Sequence, residues 1–312
     1  RLGAFLRPTW HYLALGLPVA LALWPYLWPD PLGRVQESFS LMKHFTAGPS
    51  QVFFLGDEIG VTALPWHYLP VWIAVTTPLP YLVLAIVGML RTLGRGVVRP
   101  YRTHALERHY NLYAAWLIVP VAVTIVGRTP LYDEWRHVNF IYPALIIFAV
   151  AGAQGIHDWA RARTWRGAPA AFTALLGALL VGVGVTMGRL HPYEAVYFNA
   201  LAGGGARVQS QYELDYWGLS YREGLQFLLT EHPGETLRVY SCTPPGEFNA
   251  VALAGGDQLV FVDDLDAADY AICAPRGDVP GVVAGAEYLP EERTAFTVER
   301  DGATLLYVKD LA

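Results

Sequence analysis

The chain has 312 residues, of which 54% are hydrophobic, 13% aromatic and only 16% charged, and its net charge is −5. Soluble domains carry about a quarter charged residues, so a water-soluble enzyme of this length is disfavoured, and the acidic balance excludes a nucleic-acid partner, which needs a basic face. Two cysteines exclude a disulfide-stapled scaffold and a multi-cysteine metal cluster.

Residue 1 is Arg, and no cleavable leader precedes the first apolar run, so the chain is expected to be the later part of a longer protein. A membrane helix needs about 20 mostly apolar residues, and five stretches meet that length: 12–29, 69–90, 111–127, 138–156 and 168–190. Backbone polar groups in a bilayer must pair internally, so such runs are helices. The expected fold is therefore a polytopic α-helical membrane region over 1–190, followed by a small soluble α/β domain over 191–312.

The first span contains Pro18 and Pro25, and the second Pro78 and Pro80, so both should kink or open. The last carries Gly184-x-x-x-Gly188, which permits close helix approach, here read as packing within the chain. Arginines give the orientation. Arg1, Arg7, Arg91, Arg95, Arg99, Arg102, Arg108, Arg161, Arg163 and Arg166 lie on one side, with only Glu107 and Asp158 as acids. That side is cytoplasmic by the positive-inside rule. The loops 30–68 and 128–137 and the tail then lie outside.

The tail has its own signals. Ser220 and Glu223 have capping-box spacing, ahead of an apolar stripe at Tyr221, Leu225, Leu228 and Leu229 that Pro233-Gly234 should stop. Short strands are expected over 236–241, 258–262 and 270–273, and Asp301-Gly302 should turn a hairpin between 294–300 and 303–309. Cys242 and Cys273 fall at strand ends, so they form either a bridge or two buried thiols.

The candidate chemistry lies in the outer loops. Arg128, Arg136 and His137 stand at the membrane boundary, where arginine suits bidentate phosphate recognition. Interfacial anchoring, with Tyr132 and Trp135 as belt aromatics and the arginines snorkelling, is the plainer reading of the charge placement. Asp57 and Glu58 could act as a base or hold a divalent cation, the one cofactor considered; a solvated pair is the plainer reading. Trp66, His67 and Tyr68 form either an interfacial belt or a platform for a sugar. His191, Tyr193 and Glu194 repeat that arrangement past the last span.

Certain strings carry a resemblance. Gly56-Asp57-Glu58, Leu64 to Trp72, Thr76-Thr77-Pro78-Leu79-Pro80, Tyr132-Asp133-Glu134-Trp135-Arg136-His137 to Tyr142-Pro143, His191 to Asn199, and Glu213-Leu214-Asp215-Tyr216-Trp217-Gly218 follow one another over residues 50–230. In this succession the chain resembles bacterial GT-C-type membrane glycosyltransferases, related to protein mannosyltransferases and the aminoarabinose transferase of lipid A. The resemblance implies an inverting transfer from a polyprenyl-phosphate sugar at the outer face, with membrane lipid as surroundings. It implies a multi-pass protein of a bacterial inner membrane, donor-phosphate contacts at Arg136 and His137, acceptor or metal contacts at Asp57 and Glu58, and cavity lining at Trp66, His67 and Tyr68. Charge placement adds Arg128 to the phosphate contacts, and Tyr132, Asp133 and Glu134 are further cavity candidates from the same loop. It also places the catalytic carboxylate in an earlier outer loop, upstream of this chain. The alternatives are a non-enzymatic scaffold or lipid-binding subunit whose outer domain docks a partner and, ranked last, a secondary transporter, which charge-free spans argue against.

Overall fold

Apolar length and proline placement decide which runs become membrane-length helices. The computed structural model describes residues 2–43, 50–98, 105–163, 166–243, 245–275, 282–284, 287–289 and 293–311. The chain forms two compact units, residues 1–50 and 51–312; the boundary expected at 190/191 falls inside the second.

The first unit contains α1 (Leu2–Leu23) and α2 (Pro31–Lys43), with a 3-10 turn at Pro25–Leu27 between them. The apolar part of α1, Ala14–Leu23, is ten residues long. At about 1.5 Å per residue that covers half of a ~30 Å hydrocarbon core, so the span expected over 12–29 is not met. The helix runs through Pro18, and the chain turns at Pro25, where the Trp28 indole donates to the Leu21 carbonyl at 2.8 Å. Part of the loop expected over 30–68 is helical, and Arg34 and Glu37 of α2 form an ion pair at 2.6 Å.

In the second unit, β1 (Gln51–Phe54) and β2 (Asp57–Gly60) make a two-residue hairpin across Leu55-Gly56, both at positive φ. The second expected span is broken: α3 (Tyr68–Thr76) meets α4 (Leu79–Val98) at a bend of 120°. Pro78 has no N–H to continue the helix and pushes Thr77 into extended backbone, ψ 131°. The carbonyls this frees are taken up by Asn199. Its side-chain amide donates to Ala74 at 2.7 Å and Thr77 at 2.6 Å, and its backbone N–H to Val75 at 2.8 Å.

Next come α5 (Ala105–Val126), a 3-10 turn at Arg136–Ile141, α6 (Tyr142–Arg161) and α7 (Ala168–Leu190). Among the described residues three helices are long and apolar enough to cross a membrane, His109–Val126, Arg136–Arg161 and Ala168–Leu190, or four if the bent pair is one span. The close crossing is between α4 and α6. A Cβ on Gly88 would lie 1.9 Å from the Phe148 carbonyl oxygen, and one on Gly152 2.0 Å from that of Leu84. Gly184 and Gly188 have nothing within 4 Å, which corrects the packing role expected for them. Near the other end, Arg91 of α4 pairs with Asp158 of α6 at 3.2 Å.

Beyond α8 (Gly205–Gln211) and α9 (Tyr221–Glu231) lies a five-stranded sheet with α10 (Pro245–Val251) among its connections. The strands are β3 (Leu237–Ser241), β4 (Leu259–Val262), β5 (Tyr270–Cys273), β8 (Thr294–Arg300) and β9 (Ala303–Asp310), in the order β4-β3-β5-β9-β8. A separate pair joins β6 (Val282–Ala284) and β7 (Glu287–Leu289). The first three strands are parallel and the rest antiparallel. Gly224 lets α9 close onto Leu306, Ile272 and Val308. Asp301 and Gly302 both take positive φ, 49° and 78°, as the hairpin requires. Cys242 and Cys273, at the ends of adjacent parallel strands with Cα atoms 5.0 Å apart, are bridged.

The capping box does not form. Ser220 is itself helical, and its hydroxyl donates to Asp215 at 2.5 Å. Glu223 instead accepts from the Tyr193 hydroxyl at 2.8 Å and pairs with Arg300 at 2.5 Å. The buried Tyr193 thereby ties the segment after α7 to the sheet.

Candidate functional site

A cleft of about 390 Å³ opens where several helix ends converge. The α3–α4 break supplies Thr76, Pro78 and Tyr81, and the loop before α6 supplies Glu134, Trp135 and Arg136. Asn139 belongs to the 3-10 turn that leads into α6, Tyr142 to the start of α6, and Val183 and Met187 to the end of α7. Glu194, Ala195, Tyr197 and Tyr216 complete the wall. The volume is that of a small-molecule site. The ends of α4, α6 and α7 that meet here are those the arginine pattern assigns to the outer side.

Arg136 is the cation of this wall. Its guanidinium lies between two aromatic rings, 4.8 Å from Tyr132 and 5.0 Å from Trp217, and pairs with Asp133 at 2.9 Å. Its Nε–H is shielded from solvent and has no partner. An unpaired buried donor costs about 1–3 kcal/mol, and the Arg136 Nε–H carries that cost here. The loop is anchored by the Trp135 indole, which donates to the Thr76 hydroxyl at 2.9 Å. Arg136 is therefore fixed relative to the helix break.

Two acids of the same wall differ in character. Glu194 is exposed and bonded to His191 at 2.6 Å, and that bond holds its carboxyl below the usual carboxylate range. Glu134 has no hydrogen-bond or ion-pair partner among the described residues. Burial, then the nearby charges of Asp133 and Glu213, push it up to about 8. Burial also raises Asp133, and Arg136 offsets part of that rise. Tyr216 is pushed up to about 12, by burial first and then by Glu134. Asp133 and Glu134 both adopt left-handed backbone, φ 52° and 64°. Such consecutive strain in non-glycine residues persists where surrounding structure over-determines it, commonly at sites of function.

The expected donor-phosphate set is not brought together. Arg136 lines the cleft. His137 is exposed and packs edge-on against Tyr132 at 4.7 Å, while Arg128 lines a separate hollow of about 30 Å³ with Trp66 and Tyr68. Most of the expected cavity residues also lie elsewhere. Asp57 and Glu58 are exposed on the β1–β2 hairpin, and Trp66 is 70% exposed. His67 rests on Phe54, with ring centroids 5.8 Å apart. Tyr68 is buried in an aromatic cluster with Phe54 and Trp72. Of that expected set only Glu134 lines the cleft, with Tyr132 and Asp133 behind it on Arg136.

The wall also includes Tyr81, Asn139, Tyr142, Tyr197 and Tyr216, none of them expected as site residues. Tyr142, Tyr197 and Tyr216 stand in the family-like strings, and that clustering of tyrosines was the available signal. Among the described residues no group of three or more His, Cys, Asp or Glu side chains is arranged to hold a metal ion. Comparison with protein-family models, curated proteins and solved structures finds no match for the chain.

Proposed function

We propose that this chain is a multi-pass membrane glycosyltransferase that moves a sugar from a polyprenyl-phosphate-linked donor to an acceptor at the outer face of the membrane. The observation that carries the reading is Arg136, whose guanidinium is held on a cleft wall with an unpaired buried donor. A sugar phosphate is its own leaving group. As the anomeric C–O bond breaks, negative charge grows on the phosphate, and a positioned cation stabilises it more than it stabilises the ground state. Tyr81, Tyr142, Tyr197 and Tyr216 offer faces for a sugar ring, and Val183 and Met187 of α7 offer an apolar flank for the isoprenoid. The second expected span bends at the cleft, so irregular backbone lines a cavity, where a membrane protein tolerates it.

The test is binding and turnover of polyprenyl-phosphate hexoses and pentoses by the intact protein in nanodiscs. Arg136→Ala should lower kcat/KM by about 100-fold or more, and Arg136→Lys should restore little, because an ammonium cannot reproduce the planar, ring-stacked guanidinium. Normal turnover by a correctly inserted Arg136→Ala protein rejects the phosphate role.

One observation favours a second reading, a partner-docking membrane subunit. Helix α10 leaves Phe248 74% and Val251 88% exposed. Under that reading Arg136→Ala changes nothing, and Phe248→Ser releases the partner.

A further inference from the structure

We propose that Glu134 is the general base of this cleft, the carboxylate that takes the acceptor's hydroxyl proton during sugar transfer. The proposal rests on the glycosyltransferase reading above and departs from the expectation that the base lies upstream. Glu134 faces the same cleft as Arg136, two residues along the chain. Asp133 already serves as the Arg136 counter-ion at 2.9 Å. That division of labour leaves Glu134 without a partner among the described residues, open to a ligand's hydroxyl. The strained left-handed pair at 133–134 turns the neighbouring carboxylates to these separate tasks, and the Trp135–Thr76 hydrogen bond holds the loop there.

The other acid on the wall is a poorer base, because Glu194 is exposed and spends its carboxylate on His191. The groups that act on Glu134 are Asp133 and Glu213, with Tyr216, Tyr68 and Arg136 in the same surroundings. Burial beside two acids makes it hold a proton more strongly than an ordinary carboxylate does, which brings a base close to working pH.

The step balances with no further reagent. The acceptor oxygen forms a bond to the anomeric carbon as the bond from that carbon to the phosphate oxygen breaks. The bonding pair leaves with the polyprenyl phosphate beside Arg136. The hydroxyl proton passes to a Glu134 carboxylate oxygen and then to water.

The experiment compares wild type, Glu134→Gln, Glu134→Asp and Arg136→Ala, each as intact protein in nanodiscs. It measures affinity for polyprenyl phosphate, kcat for transfer from polyprenyl-phosphate hexoses and pentoses, and the pH dependence of kcat. The expected result for Glu134→Gln is a kcat lower by about 100-fold or more with polyprenyl phosphate affinity within about threefold of wild type. Wild-type kcat should rise with pH through about 8, and that limb should vanish in Glu134→Gln. Glu134→Asp, which keeps a carboxyl, should retain the limb and part of the rate. Infrared titration of wild type against Glu134→Asp, in which the carboxyl band titrating near 8 should shift, reads the same group if the Gln variant proves unstable. Wild-type kcat in a folded Glu134→Gln protein, an unchanged limb, or a carboxyl that titrates in the ordinary range overturns the base while leaving the donor site standing. Failure of wild type to bind any polyprenyl phosphate overturns the glycosyltransferase reading, and this assignment with it.

Discussion

Asp133, Glu134 and Arg136 are close neighbours in the chain and face different problems in space. Arg136 and Asp133 neutralise one another, whereas Glu134, partly buried, is left among like charges. Glu134 binds its proton more tightly in the folded protein than in the unfolded chain. Between about 4.5, its ordinary value, and about 8, the folded state therefore carries more protons, and stability falls as pH rises. Its contribution is complete below the unfolded value and is lost by the time pH passes the folded one. Unfolding followed by tryptophan fluorescence in detergent should show that decline, and Glu134→Gln should flatten it most strongly toward pH 8. Asp133 contributes in the same direction, so a residual slope at lower pH is expected. An equally steep slope in the variant would mean that other groups carry the titration. The sequence shows an Asp-Glu-Trp-Arg string at a membrane boundary, which is enough to suspect the loop. It does not show which side chains turn inward, because that depends on two left-handed residues with no glycine to announce them.

At the scale of elements, signals that depend on local chemistry were legible. Asp301-Gly302 turns its hairpin, Pro233-Gly234 follows the end of α9, and the three parallel strands lie within a residue of where their apolar runs place them. Signals that need a tertiary partner were not. The close α4–α6 crossing runs through single glycines, Gly88 and Gly152, on separate helices, whereas the obvious Gly184-x-x-x-Gly188 pattern faces open space. Ser220 and Glu223 have the spacing of a capping box, but Asp215 and Arg300 bind them more strongly. The prolines at 78 and 80 announce a break after α3, yet nothing local announces that Asn199, more than a hundred residues on, accommodates the freed carbonyls. Removing that amide in Asn199→Ala leaves buried acceptors unpaired. The expected loss is about 1–3 kcal/mol for an unsatisfied group, measured as a lower unfolding midpoint. The bend should loosen as well, read as faster hydrogen exchange at 73–77. Asn199→Asp, which keeps the side-chain oxygen but not the donor, should fail in the same way. A neutral Asn199→Ala would show that the break is held by the prolines alone.

For the whole molecule the decisive quantity is which end of the helices faces outward. Arginines crowd the links between α4 and α5 and between α6 and α7, while the cleft, the α3–α4 break and the disulfide-bridged sheet belong to the opposite end. Two physical arguments favour the proposed orientation. Arginine-rich short links stay in the cytoplasm, and disulfides persist where the medium is oxidising. Paired reporters, one active only in the cytoplasm and one only outside, fused after Arg95, Arg163 and Gly234 should therefore read inside, inside and outside. Helix α1, whose ten apolar residues are too few to cross unaided, does not enter this expectation, which depends only on the helices after residue 68. Whether α3–α4 counts as a span decides the side of the β1–β2 hairpin, not that of the arginines. Two helices, α5 and α6, separate the two arginine-rich links, so the reporters at Arg95 and Arg163 should agree whether the bent pair crosses or re-enters. Both reading outside would put the loop 128–137, and Arg136 with it, on the cytoplasmic side, without access to a lipid-linked donor delivered at the outer face.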